Sequence, residues 1–246
     1  MKGATTILCA ALVAALASCG GPTAAERKAE AERRAEARTR LESWESKLAA
    51  KSGAAAAESG TAAASDGVIE ALRAILAIQV MELDENAAAI DRFGKHEDTL
   101  ADDLMARIYL AVAQSKMAGE SKKIEDQLSW LRKGMSSFES LREDFPDDEN
   151  VYVYQASTYA SFPAVVGAKA EVLDILTDTL DRYSSGAWSL NPGIADQLAW
   201  IFATLRSNYP DEDSGAEIDE VESAFGAEFP VYEAARLRKA AEAERG

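Results

Sequence analysis

The chain has one histidine, His96, and two cysteines, Cys9 and Cys19, in 246 residues, and these scarcities exclude much chemistry. A serine or cysteine nucleophile needs a base beside it. His96 sits in Gly94-Lys95-His96-Glu97-Asp98 between helical stretches and reads as a solvated loop residue. There is no Gly-x-Ser-x-Gly elbow and no glycine-rich loop to cradle a phosphate. Transition-metal sites are built from His and Cys clusters, which this composition does not supply, so no metal and no cofactor is expected. Residues 211–222 (DEDSGAEIDEVE) imitate a calcium loop through Asp211, Asp213 and Glu222. Their fifth position is Gly215 and their sixth Ala216, where the turn needs glycine, so calcium is not expected there. Nothing marks out a carboxylate pair for glycan cleavage among the 42 acids. The chain is not expected to be an enzyme.

Positive charge is scarce in the body. Residues 26–51 hold eight Lys or Arg against six Glu. With Lys2 the only other charge before residue 52, the chain's net −16 leaves −19 on residues 52–246. A face that binds nucleic acid must be basic, so nucleic acid is excluded as a partner. The same charge disfavours the body lying on anionic headgroups, whereas the basic segment is free to do so. Sustained period-two alternation is missing too, and with it any expectation of a sheet.

What is present begins at the N-terminus. Met1-Lys2 opens an apolar run over residues 7–16 that is too short to span a bilayer comfortably and ends in small residues, the pattern of a secretory signal. The run closes on Leu16-Ala17-Ser18-Cys19, followed by Gly20-Gly21. These four residues resemble the lipobox of bacterial lipoproteins. The resemblance implies removal of residues 1–18, a diacylglycerol thioether on Cys19, and acylation, as by palmitate, of that new first residue. Two or three acyl chains at about 0.8 kcal/mol per buried methylene hold a protein on a membrane. Gly20, where enteric bacteria place Asp to retain lipoproteins at the inner membrane, implies the outer membrane facing the periplasm in preference to the inner membrane or the cell surface. Cys9 falls in the discarded signal, so the mature fold would have neither a free thiol nor a disulfide. It must be held by its apolar core, which 48% hydrophobic composition can supply.

Residues 24–50 are rich in Ala, Glu and Arg, with Glu30/Arg34 and Glu36/Arg40 at the favourable i, i+4 spacing. Large apolar residues come only at Leu41, Trp44 and Leu48. Residues 19–51 are therefore expected to be a lipidated cysteine followed by a charged helical tether, roughly 40 Å long at 1.5 Å per residue. The competing reading is a coiled coil or partner helix with the Leu41/Trp44/Leu48 patch as its contact. Residues 52–67 read as an Ala/Ser/Gly linker.

From Val68 the periodicity is helical, and an all-α domain is expected over 68–229, with residues 230–246 as a C-terminal helix or tail. The clearest helix spans 121–145, where Ile124, Leu128, Leu131, Met135, Phe138, Leu141 and Phe145 recur every three or four residues. The stretch 99–118 pairs with it across Gly119. Stretches 148–160 and 164–183 form a second pair, and a third starts at Asn191-Pro192, where Asn can cap and Pro suits the first turn. Four of the six prolines follow an aromatic: Phe145-Pro146, Phe162-Pro163, Tyr209-Pro210 and Phe229-Pro230. Proline ends a helix while the aromatic plugs the seam beside it, which suggests stacked hairpins.

This punctuation resembles that of tetratricopeptide-repeat proteins, best over residues 134–159 (GMSSFESLREDFPDDENVYVYQASTY). It is similar to the repeats of envelope lipoproteins. Hairpin starts near 99, 148 and 191 lie farther apart than the usual repeat of about 34 residues, and the Trp and Leu-Gly signature of the first helix is missing. The implied fold is a degenerate superhelix of antiparallel helical hairpins, with a generic helical bundle as the alternative. The implied role is a scaffold for an envelope protein or peptide partner. Tyr152, Tyr154, Tyr159, Trp188 and Trp200 are the candidates for its partner face, set against the plainer reading that most of them are core. A second functional reading is a helical lipoprotein that binds a small or apolar ligand for a transporter.

Overall fold

The structure, a computed structural model, describes residues 23–58 and 66–243. Among these residues it is all-α: eleven α-helices, one 3₁₀ turn and no strand. The lipobox residues 16–19 and Cys9 lie outside the described residues. The described chain forms two compact units that divide between Pro146 and Asp147.

The first unit holds α1 (Ala24–Glu58), α2 (Asp66–Met81), α3 (Asn86–Lys95), the single turn α4 (Glu97–Leu100), α5 (Leu104–Glu120) and α6 (Ile124–Asp144). Helix α2 packs on α1, α3 and α5, and α5 packs along α6. Arg73 of α2 pairs with Asp103 before α5, and Lys116 near the end of α5 donates to the Val80 carbonyl near the end of α2 at 2.8 Å. Helices α2 and α5 therefore run parallel. Helix α6 returns antiparallel along α5, with Gly134 against Ser115 at the crossing. A methyl group on Gly134 would meet the Ser115 hydroxyl oxygen at 2.1 Å and its backbone nitrogen at 2.9 Å, so glycine sets the approach of these two helices.

Helix α1 is longer and less solitary than the tether expected over 19–51. It continues to Glu58 through the alanine-rich stretch expected to be linker, because alanine is the best helix former and Gly53 alone does not stop it. Its Ala37 and Leu41 are buried in one cluster with Ile75, Ile78 and Leu83, and Trp44 and Leu48 pack beside them. Ion pairs flank this seam. Arg34 reaches Asp84 at 3.3 Å, Arg38 pairs with Glu85, Arg40 with Glu82, and Arg92 of α3 reaches Glu45 at 2.6 Å. The spacer reading is thus corrected, and the docking patch is Leu41/Trp44/Leu48 extended by Ala37. Asp84 adopts φ 55° in the left-handed region, which Asp enters more readily than most residues other than glycine. Both of its carboxylate oxygens are engaged, one by Arg34 and the other by Lys116 at 2.9 Å.

The second unit holds α7 (Glu149–Ala160), the 3₁₀ turn Ala164–Val166, α8 (Lys169–Ser184), α9 (Pro192–Asn208), α10 (Glu212–Glu228) and α11 (Pro230–Ala243). Helix α7 pairs with α8 and α9 with α10, while α7 packs on α9, α8 on α10 and α9 on α11. This is a ladder of stacked hairpins. Of the C-terminal helix or tail expected over 230–246, the helix forms as α11, and its Tyr232 and Ala235 are both fully buried, so it is the ladder's last rung. The domain limits expected at 68 and 229 are thereby corrected: α1 and α11 both belong to the packed units.

The helix ends follow the sequence. Asp103, Asn191 and Asp211 each accept from the backbone N–H three residues on, and Asp148 from the second. Phe145, Tyr209 and Phe229 are the C-caps of α6, α9 and α10, each donating its N–H to the carbonyl four residues back before proline ends the ladder. At the end of α7 the C-cap is Ser161, and Phe162 follows it, donating its N–H to the Tyr159 carbonyl three residues back with its ring stacked 5.3 Å from that of Tyr159. The expected helix over 164–183 starts late, because Gly167 at φ 75° separates the 3₁₀ turn from α8.

Candidate partner-binding surfaces

The five aromatic candidates divide once packed. Tyr152 and Tyr159 on α7 are 3% and 1% exposed, so both are core, which removes them from any partner face. Tyr154, two residues from Tyr152, points elsewhere and is half-buried. Trp188 is half-buried too, and its indole N–H donates to the Asp147 carbonyl at 2.9 Å. Only Trp200, on α9, is open, at 40% exposure.

Trp188 and Tyr152 belong to a clasp built around Arg182. The guanidinium lies 4.6 Å from the Tyr152 ring centre and 5.0 Å from that of Trp188. It donates to the Tyr152 hydroxyl at 2.9 Å and pairs with Asp147 at 3.1 Å and Asp178 at 3.3 Å. Tyr183 adds its ring edge to Trp188 at 5.7 Å and donates its hydroxyl proton to Glu149. Burial and this donation hold the Tyr183 phenol far above its ordinary range. All of these groups serve one another, tying the end of α8 to the start of α7.

A second polar cluster lies between α9, α10 and α11. Glu222, 5% exposed, accepts from the Tyr232 hydroxyl at 2.5 Å and pairs with Arg206, which also reaches Asp219 at 2.6 Å. Burial, followed by the bond to Glu222, pushes the Tyr232 phenol strongly upward. Glu222 is therefore occupied. Asp211 at the other end of the calcium-like stretch caps α10 through Ser214, and its carboxyl is held below the usual range by those hydrogen bonds. The stretch is a capped helix.

The first unit carries an open cleft of about 380 Å³, lined by Phe93, Glu97, Arg107, Leu110, Ser137 and Ser140 among others. It lies where α3 and α4 meet α5 and α6. Arg107 pairs with Asp144 at 2.5 Å, lies 3.4 Å from the Ser140 hydroxyl, and covers the Phe145 ring at 5.4 Å. Ser137 donates to Gln114 at 2.7 Å. The cleft thus mixes hydroxyls, one partly neutralised guanidinium and an apolar floor, a surface suited to hydrogen-bonding an extended polar segment. Sequence reading missed it. Ser136-Ser137 and Ser140 on one helix, flanking Phe138 and Leu141, were the available signal, although a serine cluster on a helix is ordinarily solvated surface.

His96 is half-buried at the junction of α3 and α4, a correction to the solvated loop expected for it. Burial, then Arg92 and Lys95, push its imidazole below the ordinary range. Among the described residues no three His, Cys, Asp or Glu gather as a metal ion would require, and no helix is long and apolar enough to cross a membrane. Comparison with protein-family models, with curated proteins and with solved structures finds no match to this chain.

Proposed function

We propose that this protein is a membrane-anchored extracytoplasmic lipoprotein of the bacterial envelope, held by acyl chains on Cys19, whose helical hairpins form a tetratricopeptide-like scaffold for a protein or peptide partner. The observation that carries the reading is Leu16-Ala17-Ser18-Cys19 at the end of a short apolar run. The stacking of α7 on α9 and of α9 on α11 supports the scaffold half, because helix pairs stacked in this way present long concave surfaces. Packed aromatics and an open, hydroxyl-lined cleft favour it over the ligand-binding alternative, which calls for an enclosed apolar cavity. No catalytic step is assigned.

The placement proposed is the outer membrane, facing the periplasm. Metabolic labelling with palmitate should mark the wild-type chain and leave the Cys19→Ser variant unlabelled and soluble. Crosslinking of the tagged chain in cells should then capture a defined envelope partner, and less of it when Trp200 or Arg107 is replaced by Ala. An unlabelled wild-type chain would overturn the anchor, and a clean negative after crosslinking would overturn the scaffold.

A further inference from the structure

Helix α1 fixes which end of the first unit is nearest its N-terminus. Its N-terminal half meets the loop between α2 and α3, through Arg34 with Asp84, Arg38 with Glu85 and Arg40 with Glu82, while Lys51 reaches Glu70 in the first half of α2. The same end holds the end of α5 and the start of α6, because Asn86 donates to Glu120 at 2.6 Å and Gln127 to the Ser121 carbonyl at 2.7 Å. The chain leaves toward Pro146 from the opposite end, where Arg107 holds Asp144.

That N-terminal end is unusual in what it exposes. Met81 at 46% and Leu128 at 43% are the two large apolar side chains most open in this unit, and both lie there. Lys122 and Lys123 are exposed between them in sequence. The acids of the neighbouring loop, Glu82, Asp84 and Glu85, are consumed by α1 and Lys116. Five Cα-to-Cα steps lead from Cys19 to Ala24 and reach at most about 18 Å. A further ten residues of helix, about 15 Å, lead to Arg34. The apolar end is therefore within roughly 33 Å of the cysteine, and nearer when the helix tilts.

Resting on the acylation of Cys19 proposed above, we infer that the end of the first unit built from the α2–α3 and α5–α6 loops faces the lipid, and that Met81 and Leu128 touch its surface. Glu125 and Asp126 follow the two lysines and offset them, so the contact is apolar and does not require anionic lipid. The cleft around Arg107 opens at the far end, away from the membrane.

The test uses the acylated full-length mature chain, whose only cysteine is blocked by its thioether, so that one introduced thiol carries one fluorophore. Met81→Cys, Leu128→Cys and Asp102→Cys chains are labelled, reconstituted in phosphatidylcholine vesicles, floated, and exposed to lipid carrying a shallow nitroxide. The expected result is at least several-fold stronger quenching at positions 81 and 128 than at 102, with Leu128→Glu lowering the quenching at 81. Equal quenching at all three positions, or none at 81 and 128 in chains that float, would overturn the facing alone. Failure of the wild-type chain to float would overturn the anchor and the facing together.

Discussion

If α1 is part of the fold, then Leu41→Ala should be costly; if α1 were a stalk, it would cost nothing. Leu41 is 4% exposed against Ile75, Ile78 and Leu83. Truncating a buried leucine costs about 2–5 kcal/mol, the larger values belonging to sites that cannot collapse. Here Trp44 and Leu48 are only partly buried and free to settle, which places the cost near the low end, about 2–3 kcal/mol. The flanking ion pairs are largely solvated, and such pairs contribute at most about 1 kcal/mol each, so the apolar seam dominates. Because every 1.4 kcal/mol is tenfold, local opening of α1 should rise about 30- to 140-fold. Hydrogen exchange read by mass spectrometry on peptides covering residues 34–48, in a Cys19→Ser background, measures this directly. Arg40→Ala should change the same peptides no more than about fivefold. Wild-type exchange at the rate of an unstructured chain, or a Leu41→Ala chain indistinguishable from wild type, would refute the docking.

Three further outcomes follow from the packing. Gly134→Ala should lower stability by about 1–3 kcal/mol although alanine is the better helix former, because its methyl group collides with the Ser115 backbone; a thermal melt showing stabilisation would contradict the close crossing. Glu222→Ala should cost about 2 kcal/mol or more by leaving the buried Tyr232 hydroxyl without its acceptor and the Arg206 guanidinium with Asp219 alone, and Tyr232→Phe about 1 kcal/mol, both read by urea denaturation. The phenols of Tyr183 and Tyr232 are raised in the folded state, so their contribution is complete below the unfolded tyrosine pKa near 10 and is lost as pH climbs above it. Stability should fall above about pH 10, and more gently in Tyr232→Phe; an unchanged slope would count against the buried phenol.

Much of the architecture was legible because it depends on local rules. Asp148 and Asn191 announce helix starts, and the aromatic–proline pairs announce the ends, since capping and the loss of a backbone donor act within a few residues. The role of α1 was harder to read because one buried turn, Ala37 to Leu41, is diluted in 35 helical residues of mostly charged and alanine character. Single aromatics were ambiguous for a similar reason. Tyr152 and Trp200 look alike in a sequence, and only the tertiary packing, with Arg182 and Trp188 against the Tyr152 ring, makes one of them core. The cleft was invisible because it joins Phe93, Arg107 and Ser140 from three helices, and no pattern within one segment encodes that meeting.

The division of the chain between Pro146 and Asp147 also bears on how it acquires its structure. Within each unit the packed helices are near neighbours in the chain, α1 with α2, α5 with α6, α7 with α8 and α9 with α11, so few long loops must close before contacts form. Such low contact order favours rapid folding. Every residue the first unit needs precedes residue 147, so it can complete itself while later helices are still emerging from a ribosome or a translocation channel. Errors in the last rungs, such as exposure of Tyr232, would then leave the docked N-terminal helix intact.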